Sequence, residues 1–108
     1  MGKEEIRKKL IVKLKKFKKS IGSQYMILFG SYARGDFNKV SDVDIIIVDK
    51  KFQRKDVFKR SKGLWIEWHV KHKIGYPVDF ICYTPDEFNR LKHEVSIVSE
   101  ALREGIEI

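Results

Sequence analysis

Cysteine is almost missing from this sequence, and so is any long apolar run. The one thiol, Cys82, excludes an intrachain disulfide and a cysteine-built zinc site, and its position inside "VDFICY" predicts a buried structural side chain. Nothing approaches the ~18 consecutive apolar residues of a membrane span. The opening "MGKEEIRKKL" lacks a hydrophobic signal segment and the Ser or Thr of a myristoylation site. A cytoplasmic protein with no membrane partner is therefore expected. Repeats, linkers and low-complexity tracts are also absent, so residues 1–108 should fold as a single domain around one core, with no room for a second lobe to bind a large acceptor.

Acidic residues are few, 15 Asp and Glu against 23 Lys and Arg, which leaves a net charge of +8. The imbalance sits at the front: residues 1–20 hold nine Lys or Arg and two Glu. Ile6, Leu10, Leu14, Phe17 and Ile21 recur at spacings of four and three, so this segment reads as a helix with one apolar stripe and a lysine face that includes Lys8, Lys9, Lys15, Lys16 and Lys19. A basic face of this kind can attract RNA or an acidic protein. No interleaved aromatics or RNA-binding signature accompany it, so nucleic acid is possible but not the favoured partner.

Beyond the helix, "YMILFG" at 25–30 predicts a short strand apolar on both faces, and Ser31 can cap a helical turn running to Arg34. "DVDIIIV" at 42–48 predicts a β-branched strand. Residues 53–74 predict a helix with Val57, Leu64 and Trp68 on one stripe, stopped by Gly75 and Pro77. "VDFICY" gives a third strand, and Thr84, Pro85 and Glu87 form a capping box that opens the next helix. A last helix over "SIVSEALREG" leaves "IEI" to form a strand. The order predicts an α/β or α+β domain with helices packed on a small mixed sheet.

Two stretches carry chemistry. Asp42 and Asp44 lie two apart on one strand and project from one face, and Asp79 joins them if the strand "VDFICY" is its neighbour. Three carboxylates in an apolar setting repel one another, and no basic residue stands beside them in either strand; a divalent metal relieves both problems. Magnesium suits carboxylate and phosphate oxygens, and two ions can bridge such a trio during phosphoryl transfer. Upstream, Gly30 allows close backbone approach, Ser31 opens a helical turn that favours anions, and Arg34 can offer a fork of donors to a phosphate. His69 and His72 lie three apart without an obvious third metal ligand, and Trp65 and Trp68 are expected in the core.

Gly30-Ser31, ten further residues and Asp42-x-Asp44 resemble the signature of the polymerase-beta-like nucleotidyltransferase superfamily, and "GSYARG" with "SDVDIIIV" is similar to its minimal nucleotidyltransferase branch. "PVDFICYTPDEF" is similar to the third-carboxylate region of that branch. The resemblance implies a palm-like nucleotidyltransferase fold and an enzyme that moves a nucleoside monophosphate, AMP from ATP, to an external hydroxyl. It implies that Gly30 and Ser31 bind the triphosphate, that Asp42 and Asp44 hold two magnesium ions, and that Asp79 completes the metal site and helps activate the acceptor. Members of the branch commonly accompany a HEPN-family toxin and act as its antitoxin, some by adenylylating a tyrosine of it. Two alternatives stay open: a non-catalytic module that neutralises the HEPN protein by binding, and transfer to RNA ends.

Overall fold

The computed structural model describes residues 2–108. Helix α1 (Lys3–Ile21) leads to strand β1 (Tyr25–Phe29), the one-turn helix α2 (Ser31–Arg34) and strand β2 (Val43–Val48). The chain then passes through short 3-10 turns at Lys50–Phe52 and Val57–Lys59 into α3 (Leu64–Ile66), which continues as a π-helical turn over Glu67–Lys71. Strand β3 (Val78–Tyr83), helices α4 (Pro85–Leu91) and α5 (Ile97–Glu104) and strand β4 (Ile106–Glu107) complete the order. None of the described helices is long and apolar enough to cross a membrane.

The sheet runs β3-β2-β1-β4. β1 is antiparallel to both β2 and β4, whereas β2 and β3 are parallel. A parallel neighbour needs a crossover, and residues 49–77 supply it. Central β2 is buried along nearly its whole length, as its Val and Ile content favours. Val43, Ile45 and Ile47 face α1 and Trp68, while Ile46 and Val48 face Phe88, Val98 and Ala101 of α4 and α5. The predicted stripe on α1 is the one that packs: Leu10, Leu14 and Phe17 are buried, with Ile6 and Ile21 at the margin. Phe17 meets Trp68 edge-on, centroids 5.3 Å apart, and Trp68 in turn meets Phe80 at 5.6 Å.

The predicted helix over 53–74 is corrected by the structure. Arg54 takes a left-handed φ of 67°, which no helix continues through, and Asp56 accepts a hydrogen bond from Phe58 N–H, a local bond that favours a tight turn. Val57 is exposed and belongs to no buried stripe. Apart from the 3-10 turn at Val57–Lys59, only Leu64 to Lys71 is helical, and His72 N–H bonds Glu67 O five residues back, at 2.9 Å. Trp68 is buried as expected, but Trp65 is not: it lies 46% exposed and stacks on His69. The Cys82 thiol is buried, and burial pushes it up to about 11.

The crossover is tied back to the sheet by Arg60, a buried guanidinium that donates to Cys82 O (3.1 Å) and to Glu87. Glu87 also completes the predicted capping box with Thr84. The hydrogen bond from Arg60 holds the Glu87 carboxyl below the usual carboxylate range. A depressed carboxylate stabilises the fold above its unfolded pKa, and that contribution fades as pH falls through the folded value. We therefore expect Glu87→Ala to cost about 1.5–3 kcal/mol near neutral pH, because it strands a buried guanidinium. Urea melts of both proteins should converge in acid; a gap that held constant down to pH 3 would refute the ion-pair origin.

Candidate active site

The carboxylates gather at one end of the sheet. A loop fixes the approach to β2: Asn38 Oδ1 accepts from Val40 N–H (2.9 Å), Ser41 Oγ accepts from Asn38 N–H (2.9 Å), and Val43 N–H donates to Pro77 O (2.8 Å). β2 begins at Val43, so Asp42 is the exposed residue just ahead of the strand and Asp44 the half-buried second position within it. In the β2–β3 register Asp44 lies directly opposite Asp79. Parallel neighbours are spaced about 4.8 Å apart, so the two side chains leave the same face together. That face is the one α4 and α5 cover further along.

The other strand next to β2 delivers the glycine. Phe29 pairs with Asp44, so Gly30, which follows it, passes beside that carboxylate. Gly30 has φ 74° and ψ −154°, a conformation essentially restricted to glycine, and a Cβ built there would overlap Asp44 Oδ2. The expected cap by Ser31 is corrected: Gly30 is the N-cap, no side chain caps the turn, and Ser31 is its first residue. Gly30 O accepts from both Ala33 (3.1 Å) and Arg34 (3.0 Å) N–H, which closes α2 tightly against the end of β1.

Arg34 ends this turn and makes its ion pairs with other carboxylates than the three aspartates. Its Nε donates to Asp36 Oδ2 at 3.2 Å, and its Nη1 lies 3.7 Å from Glu104 Oε2 of α5. A cavity of about 150 Å³ opens between Phe29, Gly30, Arg34 and the Glu100–Glu104 side of α5. Glu100 and Glu104 are the residues that sequence reasoning missed here. They sit one turn apart near the C-terminus of the chain, and only the packing of α5 on β1 brings them to Arg34.

The electrostatics of the cluster bear directly on Asp44. Burial, then the charges of Asp79 and Asp42, push its carboxyl above the usual range, and Arg34 opposes them only in part. Among the described residues no ion pair engages Asp42, Asp44 or Asp79, and no three His, Cys, Asp or Glu side chains close into a preformed metal cage. An open, oxygen-only donor set whose negative charge is only partly compensated fits a hard divalent cation whose shell is completed by water and substrate phosphate. His69 and His72 contribute nothing to it: His69 stacks on Trp65, and His72 lies edge-on to Phe17 in the core margin.

Residues 7–107 match the family described as nucleotidyltransferase domain. The chain belongs to that family. Two relatives from Methanocaldococcus jannaschii, both provisionally named protein adenylyltransferases, are 48% identical over 44 residues and 49% identical over 41. These segments cover 35% and 32% of this chain, and 44% and 41% of the relatives, so each match spans less than half of either protein. A crystal structure of a provisionally assigned nucleotidyltransferase from Sulfolobus solfataricus superimposes with a TM-score of 0.62 at 23% identity, covering 99% of this chain and 86% of that one. The nucleotidyltransferase fold is thus shared over nearly the whole length, as the family resemblance implies.

Proposed function

We propose that this domain transfers a nucleoside monophosphate from a nucleoside triphosphate, taken to be ATP, to a hydroxyl of an external acceptor and releases pyrophosphate. The observation that carries this reading is the pairing of Asp44 with Asp79 beside Gly30, whose missing side chain lets the backbone lie against the carboxylate. Asp42, Asp44 and Asp79 would hold magnesium, two ions being expected. Bound there, magnesium supplies charge neutralisation at the reacting phosphorus. Gly30 and Ser31 would bind the triphosphate through the backbone of the α2 turn, and exposed Asp79 would take the acceptor's proton. A protein acceptor is supported by the names of the two Methanocaldococcus relatives. A HEPN-family protein, with this domain as its antitoxin, is the partner that the family resemblance implies.

The test is to incubate the protein, magnesium and a HEPN protein encoded beside it with ATP labelled at either the α- or the γ-phosphate. Label should pass to the acceptor from the α-position only, and mass spectrometry should place one AMP on a tyrosine. Transfer from the γ-position would mean kinase chemistry and would overturn the proposal, as would an acceptor left unlabelled from both positions.

Arg34 gives a separate prediction. Its present partners are exposed carboxylates, which a triphosphate can displace. Arg34→Ala should weaken binding of a non-hydrolysable ATP analogue in calorimetric titration, because it removes charged donors to the phosphates. Unaltered affinity would return Arg34 to the role of a surface ion pair.

A further inference from the structure

The crossover between β2 and β3 carries a surface that the nucleotide site does not use. Val57, Phe58, Trp65, Ile66 and Val70 are five of the large apolar side chains left exposed, and all fall within 14 residues of one another. Phe58 is 92% exposed. The segment is anchored to the sheet at two points: Arg60 is bonded to Cys82 O, and Trp65 meets Phe80 edge-on at 6.2 Å. Both anchors lie on β3, an outer strand of the sheet. Phe80 and Cys82 face the α1 side of the sheet, whereas Asp79 alternates with them and leaves the opposite face with Ile81 and Tyr83, so the anchors and the carboxylates lie on different faces. Exposed apolar side chains this dense along one anchored segment, with Ile66 and Val70 four apart on its helix, mark an interaction site.

Charge decides what it fits. Residues 50–62 contain seven Lys or Arg and one Asp, a second basic block that acidic residues elsewhere hide in the overall count. Arg60 is bound to Glu87 and Lys51 lies beside Asp49. Lys50, Arg54, Lys55, Lys59 and Lys62 are exposed and make no ion pair among the described residues. A second copy of this chain would set one basic rim against another, at a net charge of +8 per copy. RNA would neutralise the rim, but bases stack on aromatic rings and leave Val57, Ile66 and Val70 without partners. We infer that the crossover segment 54–70 docks an acidic partner protein, one that presents an apolar helix or ridge flanked by Asp and Glu.

The probe is a synthetic 20-residue helical peptide with a leucine face bordered by glutamates, alongside a peptide with glutamine at every glutamate. Trp65 reports binding, since the other tryptophan, Trp68, is buried. The acidic peptide should bind saturably, at least tenfold tighter than the glutamine peptide. Phe58→Ser with Ile66→Ser should weaken it at least tenfold, with thermal stability and nucleotide transfer unchanged. Equal binding of the two peptides, or none by either, would overturn the inference. So would a labelled uridine 20-mer that binds more tightly and displaces the peptide, or self-association of the free protein that the double substitution abolishes. Because Phe58 and Ile66 lie outside the nucleotide site, failure here leaves the transfer reading standing, and failure of transfer leaves this one.

Discussion

Replacing Asp44 with Asn should abolish nucleotidyl transfer while making the metal-free protein more stable. The two effects share one cause. Asp44 sits half-buried opposite Asp79, with Asp42 close by, and its carboxyl is raised because the charged form is both desolvated and repelled. A carboxylate raised on folding binds protons more tightly in the native state, so stability is fully present below the unfolded pKa and is lost as pH rises through the folded one. Asparagine keeps the shape and removes the charge. The variant should therefore melt above the wild type in chelator at neutral pH, and the difference should vanish in acid. Glu87 has the opposite sign, so the Asp44→Asn comparison must be made at matched pH. Magnesium should stabilise the wild type and leave the variant unmoved, since a ligand stabilises only what binds it. Transfer should fall at least about a hundredfold, the scale on which a single charge-stabilising group acts. A variant that melted lower without metal, or that kept its activity, would remove Asp44 from the proposed site.

Much of this arrangement was readable from residue spacing, and the unread part has a physical cause. Strand periodicity predicts one face for Asp42 and Asp44, because the repeat of two belongs to the backbone, although β2 starts at Val43 and leaves Asp42 just ahead of it. The stripe on α1 and the box at Thr84 were legible for the same reason: each is written within one element. The partner of Asp44 was conditional, since only the parallel pairing of β2 with β3 sets Asp79 beside it. Arg34 shows the limit most plainly. Its reach toward a phosphate could be read locally, but its present hold on Glu104 depends on where α5 packs, some 70 residues on. The crossover failed differently. Val57, Leu64 and Trp68 imitate a helical stripe, and what interrupts it, the left-handed backbone at Arg54 and the side-chain bond of Asp56 to Phe58 N–H, is not revealed by spacing. Trp65, expected in the core because it lies three residues from Trp68, is exposed instead, and the basic block at 50–62 is hidden in the net charge by acidic residues elsewhere.

Gly30 is the residue where fold and chemistry meet, and Gly30→Ala should damage both. Its φ of 74° with ψ −154° is open to glycine and strained for any other residue, at a cost of about 1–3 kcal/mol. The new methyl would also overlap Asp44 Oδ2 and stand 3.2 Å from Asp44 Cγ, tighter than a buried contact tolerates. Strain and collision can be separated by a double-mutant cycle. Asp44→Ala removes the carboxylate and keeps the Cβ, which lies at 3.4 Å from the built methyl, an ordinary contact. In that background Gly30→Ala should cost only the backbone strain, so the two substitutions together should be less destabilising than their separate costs predict. Denaturant melts of the four proteins give the coupling directly. Additive costs would mean that the glycine is there for its backbone angle alone. In the otherwise native chain the displaced carboxylate should also lose its place opposite Asp79, so transfer should fall well beyond what the lost stability explains. Retained activity in a folded Gly30→Ala protein would show that the close approach of backbone to carboxylate is not what the reaction requires.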